Sequence, residues 1–290
     1  MLAPIPHPHA LAGEARPAAP VRGLSLWLAP PEAGDAFEVA QLNEADRQRW
    51  LRLNHRRRED FAVSRALLNR IAPHASDALS LSHSSRHAAI CIGPAGCSVG
   101  VDVERHRARD VIAIARFAFH AEEFAALEAA APSQRERLFY AMWVFKEAAA
   151  KALRLDLLDA LRHCTLLPRP ERWIGRIPSD EGWSAWVYEP RPGLSLATIQ
   201  IGGGPTHGPD CREWMKGPVR WRAVAHAGSG HSPSADARSQ PGFFDNHRLA
   251  GNCCPHRDGG VTGSPQLRRS SPYRNAKPLS SLAKNPASKN

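Results

Sequence analysis

The stretch that most constrains the fold is Gly100-Val101-Asp102-Val103-Glu104, in which apolar and acidic residues alternate. A period of two is typical of a β-strand, so Asp102 and Glu104 should lie on one face and the valines on the other. Flanking valines indicate a buried strand, and buried carboxylates need a partner. Their oxygens suit a hard cation such as Mg²⁺. A surface strand with two solvated acids is the alternative, and the pattern alone leaves it open.

A second cluster of polar side chains follows about forty residues later. Trp143, Glu147 and Lys151 are spaced four apart, so on a helix they share one face, and Lys146 adjoins Glu147. Taken alone, Glu147 and Lys151 are an ordinary helical ion pair, which stabilises a helix by a few tenths of a kcal/mol. Combined with the acidic strand, they predict one site with three metal-binding carboxylates beside a lysine.

A polar turn between two strand-like segments is the third candidate. Ser82, His83, Ser84 and Arg86 place hydroxyls, an imidazole and a guanidinium in one short turn, which suits a phosphate. An ordinary hairpin with polar turn residues explains the same sequence. In the helical pattern before this turn, Arg65 lies close to the apolar stripe, so it is the arginine expected to point inward at a ligand.

The remaining pattern predicts a mixed α+β chain. Strands are expected near 24–28, on both sides of a turn within 79–92, and near 97–103, 164–167, 172–177, 183–189 and 194–201. Helices are expected over 44–72, 109–130 and 133–154, the last with Ser133 as its N-cap. Residues 1–22 and 203–290 lack periodicity, apart from one weak apolar patch near 219–224, so we expect both ends to be largely disordered. Two α+β parts remain, 23–95 and 96–202.

The charge of the chain does not indicate nucleic-acid binding by the folded part. The net charge is +10, but residues 203–290 hold 13 of the 38 Lys and Arg residues and 5 of the 28 Asp and Glu residues. The rest is therefore close to neutral. No apolar run of about 18 residues predicts a membrane span, and no signal-peptide pattern is present. Six cysteines without paired spacing are typical of free thiols in a reducing cytoplasm.

Taken in order, the three motifs resemble those of the 4′-phosphopantetheinyl transferases that activate non-ribosomal peptide and polyketide synthases. Ser82-His83-Ser84 with Arg86 is similar to the S-H-S turn of that family. Residues 100–104 are similar to its G-[IV]-D-[IV]-E strand, and residues 143–151 to its W-x-x-K-E-A-x-x-K helix. The resemblance covers about residues 24–200. It implies two similar α+β halves related by a pseudo-twofold axis, with coenzyme A in the cleft between them.

The resemblance also implies an activity: Mg²⁺-dependent transfer of the 4′-phosphopantetheine arm of coenzyme A to a serine of an acyl or peptidyl carrier protein, releasing 3′,5′-ADP. This is the activity of a holo-[acyl-carrier-protein] synthase, here expected to be a cytoplasmic monomer serving antibiotic biosynthesis. Asp102, Glu104 and Glu147 would be the metal ligands, and Glu147 and Lys151 the catalytic residues. The implied coenzyme A contacts are Arg65, Ser82, His83, Arg86, Asp102 and Lys151. The region of Phe117 and Phe119 would face the carrier protein.

Two departures from the family pattern concern coenzyme A. Many relatives have Gly-Lys-Pro before the S-H-S turn, whereas residues 71–78 contain none, so other cations are expected to replace its lysine: Arg47, Arg52 or Arg86. Ser85 also stands where glycine is common. Two other functions stay open. One is a metal-dependent pyrophosphatase acting on a nucleotide, and the other is a non-catalytic carrier-binding module.

Overall fold

The computed structural model describes residues 23–71, 78–170, 172–203 and 208–229. The disorder expected for residues 1–22, and for the tail from residue 230 onward, lies outside these ranges. The expected mixture of helices and strands is confirmed. Within the described ranges, no helix combines the length and the apolar character that crossing a bilayer requires. The four described cysteines are free thiols.

The first half of the chain forms one antiparallel unit covered by a long helix. Two short 3-10 helices, Pro31–Ala36 and Val39–Gln41, follow its first strand. The regular elements are β1 (Ser25–Ala29), α1 (Glu44–Arg52), α2 (His55–Ile71), β2 (Ala78–Ser84) and β3 (His87–Gly93). β3 pairs antiparallel with both β1 and β2, so it lies between them. Residues of α2 pack on β1 and β3 around a core that includes Leu67 and Ile90.

The second half repeats this arrangement with added helices. Its elements are β4 (Ser98–Arg105), α3 (Val111–Ala118), α4 (Ala121–Ala129), α5 (Pro132–Leu153), α6 (Leu157–His163), β5 (Thr165–Pro168), β6 (Trp173–Arg176), β7 (Trp183–Arg191) and β8 (Leu194–Ile201). β8 pairs antiparallel with both β4 and β7. β3 therefore lies between β1 and β2, and β8 lies between β4 and β7. In each half, the last strand lies between the first strand and the strand that precedes it in sequence, which is the repeated topology expected of two related halves.

The segment after β8 corrects the expected start of the tail. Disorder was expected from residue 203, but residues 208–229 contain β9 (Asp210–Glu213), β10 (Gly217–Pro218) and β11 (Ala223–Gly228). β9 pairs parallel with β1 and antiparallel with β10, and β11 pairs antiparallel with β7. The segment therefore adds two strands to the sheet of the first half and one to the main sheet of the second. These strands are short and bury mainly small residues such as Cys211 and Ala225, which leaves little hydrophobic periodicity in the sequence.

Local capping breaks two helices that hydrophobic pattern alone joined. The predicted helix 44–72 is interrupted at Leu53, which is extended, and α2 starts where the Asn54 side chain accepts a hydrogen bond from the Arg57 backbone N–H at 3.0 Å. The predicted helix 109–130 is divided where His120 forms a capping box at the start of α4. The prediction of Ser133 as N-cap is wrong, because α5 begins at Pro132.

The acidic strand lies directly against α5. Gly100 has no room for a side chain, because a Cβ there would lie 1.9 Å from the carbonyl oxygen of Ala148. Alternation then places Asp102 and Glu104 on the same face as Gly100, toward α5. Val101 and Val103 point the other way, into a hydrophobic cluster shared by strands of both sheets. The fold thereby brings the two sequence clusters together at the junction of the halves.

Candidate active site

Asp102 on β4 and Lys151 on α5 are in direct contact. The Nζ atom of Lys151 lies 2.9 Å from Oδ1 of Asp102 and donates to the backbone oxygen of Val101 at 2.7 Å. Asp102 is only 3% exposed, so the alternative of a solvated surface acid is wrong for this residue. Lys151 keeps 31% of its side chain exposed, which leaves the ammonium group accessible to a ligand.

The three carboxylates expected at the site share one electrostatic environment. Burial raises the pKa of Glu147 to about 8, and the negative charge of Asp102 contributes in the same direction, partly opposed by Lys151. Burial and Asp102 likewise raise the pKa of Glu104 to about 7. Ionisation of Glu104 and Glu147 is therefore opposed first by burial and then by the nearby charge of Asp102.

The donor set fits an open magnesium site better than a closed cage. Oδ2 of Asp102 is buried and has no hydrogen-bond partner within the described part of the chain. Among those residues, no three acidic, histidine or cysteine side chains are grouped closely enough to enclose an ion by themselves. Mg²⁺ is usually held by one or two carboxylates together with substrate phosphates and waters, and does not require such a cage. The unpaired, buried oxygen is what a cation would satisfy.

Two serines of β2 hold the carboxylates of β4. Ser82 Oγ donates to Oδ1 of Asp102 at 2.7 Å, and Ser84 Oγ donates to Oε2 of Glu104 at 2.8 Å. Both serines are buried. The Ser82 hydroxyl, which was expected to contact coenzyme A, therefore faces Asp102 instead. Strand alternation turns it toward Asp102 and turns the neighbouring His83 to the opposite side.

His83 lies among cations. Although the residue is exposed overall, desolvation of its imidazole lowers the pKa of His83, and Lys151, Arg49 and Arg65 lower it further, while Asp60 acts in the opposite direction. Three cations and the Asp60 carboxylate therefore lie near this imidazole, at the edge of the acidic site. Such a cluster suits a phosphate, which accepts hydrogen bonds and offsets the repulsion among the cations.

The two arginines expected to contact coenzyme A are paired with acids of the first half. Arg65 donates from Nε and Nη2 to both carboxylate oxygens of Asp46, each at 2.7 Å. The Arg86 backbone N–H donates to Asp60 at 2.6 Å, and its Nε lies 3.8 Å from Glu59. Arg65 is thus held in place rather than free, and Arg86 is mostly exposed on the outside of the hairpin.

Two arginines beyond β4 were missed from the sequence. Arg107 and Arg109 both lower the pKa of Glu104, so they lie near its carboxylate. Arg107 donates from Nη2 to Ser85 Oγ at 2.7 Å, and its backbone N–H donates to the Tyr140 hydroxyl at 3.0 Å. The available signal was the concentration of three arginines in residues 105–109, directly after the acidic pair.

Lys146, in the same helical motif, is a core residue and does not reach the site. It is fully buried, lies 2.7 Å from Oε2 of Glu123 and donates to the backbone oxygen of Leu161 at 2.9 Å. Burial lowers the pKa of Lys146 and raises that of Glu123, while their mutual attraction opposes both changes. Of the two lysines in this motif, only Lys151 faces the carboxylates.

Comparison with known proteins agrees with this geometry. Residues 98–189 match the family model of the 4′-phosphopantetheinyl transferase superfamily. This segment includes both Asp102 and Glu104 on β4 and Glu147 and Lys151 on α5, but not the serines of β2. No curated protein matches the chain.

Proposed function

Since residues 98–189 are a domain of the 4′-phosphopantetheinyl transferase superfamily, we propose that this protein moves the 4′-phosphopantetheine arm of coenzyme A to a serine of an acyl or peptidyl carrier protein and releases 3′,5′-ADP. The observation that supports this most is the meeting of β4 and α5. It places the Lys151 ammonium group against the Asp102 carboxylate, whose negative charge contributes to the raised pKa values of Glu104 and Glu147.

Mg²⁺ is the proposed cofactor, and Asp102, Glu104 and Glu147 would contribute ligands to it together with coenzyme A phosphates and waters, since no three such side chains among the described residues could hold an ion alone. When bound, it would neutralise charge on the pyrophosphate of coenzyme A, which otherwise repels the attacking oxygen. The buried, unpartnered Oδ2 of Asp102 is the ligand atom that the structure offers most clearly. Glu104 and Glu147 add carboxylate oxygens, and their pKa values are raised first by burial and then by the charge of Asp102.

Glu147 is the proposed general base. A general base must lie within reach of the proton that it accepts, and Glu147 lies near both Asp102 and Lys151, whose charges affect its pKa. It would accept the hydroxyl proton of the carrier serine as that oxygen attacks phosphorus. Lys151, already oriented by Asp102 and the Val101 carbonyl, would stabilise charge on the departing 3′,5′-ADP phosphate.

Coenzyme A phosphate is the proposed ligand of the cationic cluster around His83. Arg65, partly buried beside Phe61 and fixed by Asp46, would add its positive charge. Arg49 is a better substitute for the missing family lysine than Arg47, because it lies near His83 whereas Arg47 contacts Glu44 at 3.6 Å. Arg86 is kept as a proposed coenzyme A contact, because its guanidinium is half exposed and only loosely paired with Glu59.

The carrier protein is proposed to dock beside α3. Phe117 there is 85% exposed, which is unusual for a phenylalanine and offers an apolar contact. We also propose that the protein acts as a monomer in the cytoplasm and loads carrier proteins of polyketide or peptide synthesis. The division into an N-terminal half over 23–95 and a metal-binding half over 96–202 is kept as part of this proposal, with residues 208–229 as an extension of both sheets.

The test follows 3′,5′-ADP by chromatography after incubation with Mg²⁺ and coenzyme A, with and without an apo carrier protein. We expect 3′,5′-ADP only when the carrier is present. Release without a carrier would instead identify a pyrophosphatase that acts on the nucleotide. Carrier binding without any 3′,5′-ADP, across several carriers, would identify a non-catalytic binding module and overturn the proposal.

A further inference from the structure

The two halves meet edge to edge at β2 and β4. Each is the terminal strand of its own described sheet, and the two strands are not paired through their backbones. Three serines of β2, Ser80, Ser82 and Ser84, recur with a period of two and are all buried, so they point toward β4 together. Their short side chains allow the strands to approach closely.

Serine hydroxyls take the place of a backbone ladder at this junction. Ser80 Oγ accepts from the Val101 backbone N–H at 3.0 Å, and Ser84 Oγ accepts from the Arg105 backbone N–H at 3.4 Å. Ser82 differs, because its hydroxyl donates to the Asp102 carboxylate, and Ser84 also donates to the Glu104 carboxylate. Ser80 thus binds backbone alone, whereas Ser82 and Ser84 determine where carboxylate oxygens lie.

The contact of Ser82 has a consequence for Asp102. Ser82 and Lys151 both bind Oδ1, so Oδ2 is the oxygen left without a partner. Groups that donate to a ligating carboxylate fix its orientation, and removing them typically weakens metal affinity by about 10- to 100-fold. The hydroxyls come from the first half and the carboxylates from the second, so the orientation depends on how the halves meet.

We propose that Ser82 and Ser84 are positioning residues that orient Asp102 and Glu104 for Mg²⁺, which makes metal binding depend on contact between the two halves. This inference rests on the proposed function, because it concerns the same carboxylates. It differs from the role implied by resemblance, in which Ser82 contacts coenzyme A. A hydroxyl already donating to a buried carboxylate would have to abandon that bond to donate to a phosphate.

The test is calorimetric titration of Mg²⁺ into the full chain saturated with coenzyme A. Ser82→Ala and Ser84→Ala should each weaken Mg²⁺ binding about tenfold or more. Ser80→Ala is the matched control, since it removes a buried serine of the same strand without touching a carboxylate, and it should stay within about twofold of wild type. Ser84→Thr retains the hydroxyl and should bind Mg²⁺ more tightly than Ser84→Ala. Circular dichroism checks that each variant is folded.

Three results would overturn the inference. The first is that Ser82→Ala and Ser84→Ala bind Mg²⁺ as tightly as wild type. The second is that Ser80→Ala loses as much Mg²⁺ affinity as these two variants, and the third is that wild type does not bind Mg²⁺. In the first two cases, transfer by the wild-type protein would leave the proposed function intact. Weaker coenzyme A binding with unchanged Mg²⁺ affinity would return Ser82 to the role of a coenzyme A ligand.

Discussion

Gly100 and Ala148 approach so closely that no side chain fits between them. A Cβ at Gly100 would lie 1.9 Å from the carbonyl oxygen of Ala148 and 2.8 Å from the backbone nitrogen of Ala152. The obstacle is backbone in both cases, so it cannot rotate away. Because Asp102 follows on the same face of β4, this contact is what allows Asp102 to reach Lys151 on the next turn of α5.

Gly100→Ala should therefore destabilise the protein by about 3 kcal/mol or more, the upper end of the cost of overpacking. Urea denaturation followed by circular dichroism measures the free energy of unfolding. Gly23→Ala is the control, because nothing lies within 4 Å of a Cβ at that position, and its effect should be small. Equal stability of the two variants would show that β4 does not need this close contact.

The buried pair of Lys146 and Glu123 should be essential for stability. Removing one partner leaves an uncompensated buried charge, so Lys146→Ala should cost about 3–5 kcal/mol. The exposed pair of Arg116 and Glu128, 3.7 Å apart, provides the comparison. Arg116→Ala should cost less than about 1 kcal/mol. Thermal unfolding distinguishes the two, and a mild effect of Lys146→Ala would place its ammonium group in water rather than in the core.

The sequence predicted most strands and the contact between the acidic strand and the helix that carries Glu147 and Lys151. The pattern at 194–201 predicted β8 with the observed bounds, and the alternation at 100–104 correctly predicted which side chains share a face. Long-range pairings were not predictable. Nothing in the spacing of Lys146 indicates that Glu123, on another helix, neutralises it, and it was grouped with the site only because it adjoins Glu147.

Stability without metal should depend on pH through the carboxylate cluster. The pKa of Glu147 is raised from 4.5 to about 8, so the folded protein holds this proton more tightly than the unfolded chain does. Its contribution to stability is complete below pH 4.5 and is lost as pH rises to about 8. Urea denaturation in EDTA should show that Glu147→Gln gains stability relative to wild type as pH increases.

The comparison with Glu147→Gln is necessary because other groups act in the opposite direction. Burial lowers the pKa of His106 from 6.5 to about 4, so its contribution to stability grows as pH rises through that interval. Only the difference between wild type and variant isolates Glu147. A difference that stays constant between pH 5 and pH 8 would contradict the raised pKa of Glu147.

His83 should determine recognition of the coenzyme A phosphate. His83→Ala should raise KM for coenzyme A about tenfold, which is the loss expected for a hydrogen bond to a charged group. Dephospho-coenzyme A, which lacks the 3′-phosphate, is the matched control substrate, and its KM should be the same for wild type and variant. An equal rise in KM for both substrates would show that His83 does not contact the 3′-phosphate.

The partners of Ser82 and Ser84 could not be predicted from the sequence. The sequence predicted that Ser82 and Ser84 lie in a polar turn, which is wrong, because both lie in β2 and share one face of that strand. Whether that face meets a ligand or another strand depends on the sheet edge beside it. Only the structure shows that β4 lies there. The strands at 210–213 and 223–228 escaped prediction for a related reason, since their stability comes from pairing with distant edges and not from local pattern.

The most direct test of the proposed transfer is the intact mass of an apo carrier protein after incubation with this protein, Mg²⁺ and coenzyme A. We predict a gain equal to one phosphopantetheine arm with wild type, and no gain with Asp102→Ala, with Glu147→Ala or in EDTA. Folding of both variants is confirmed by circular dichroism. An unchanged carrier mass with wild type, or the same gain with either variant, would contradict the proposal that carboxylates of β4 and α5 form the catalytic metal site.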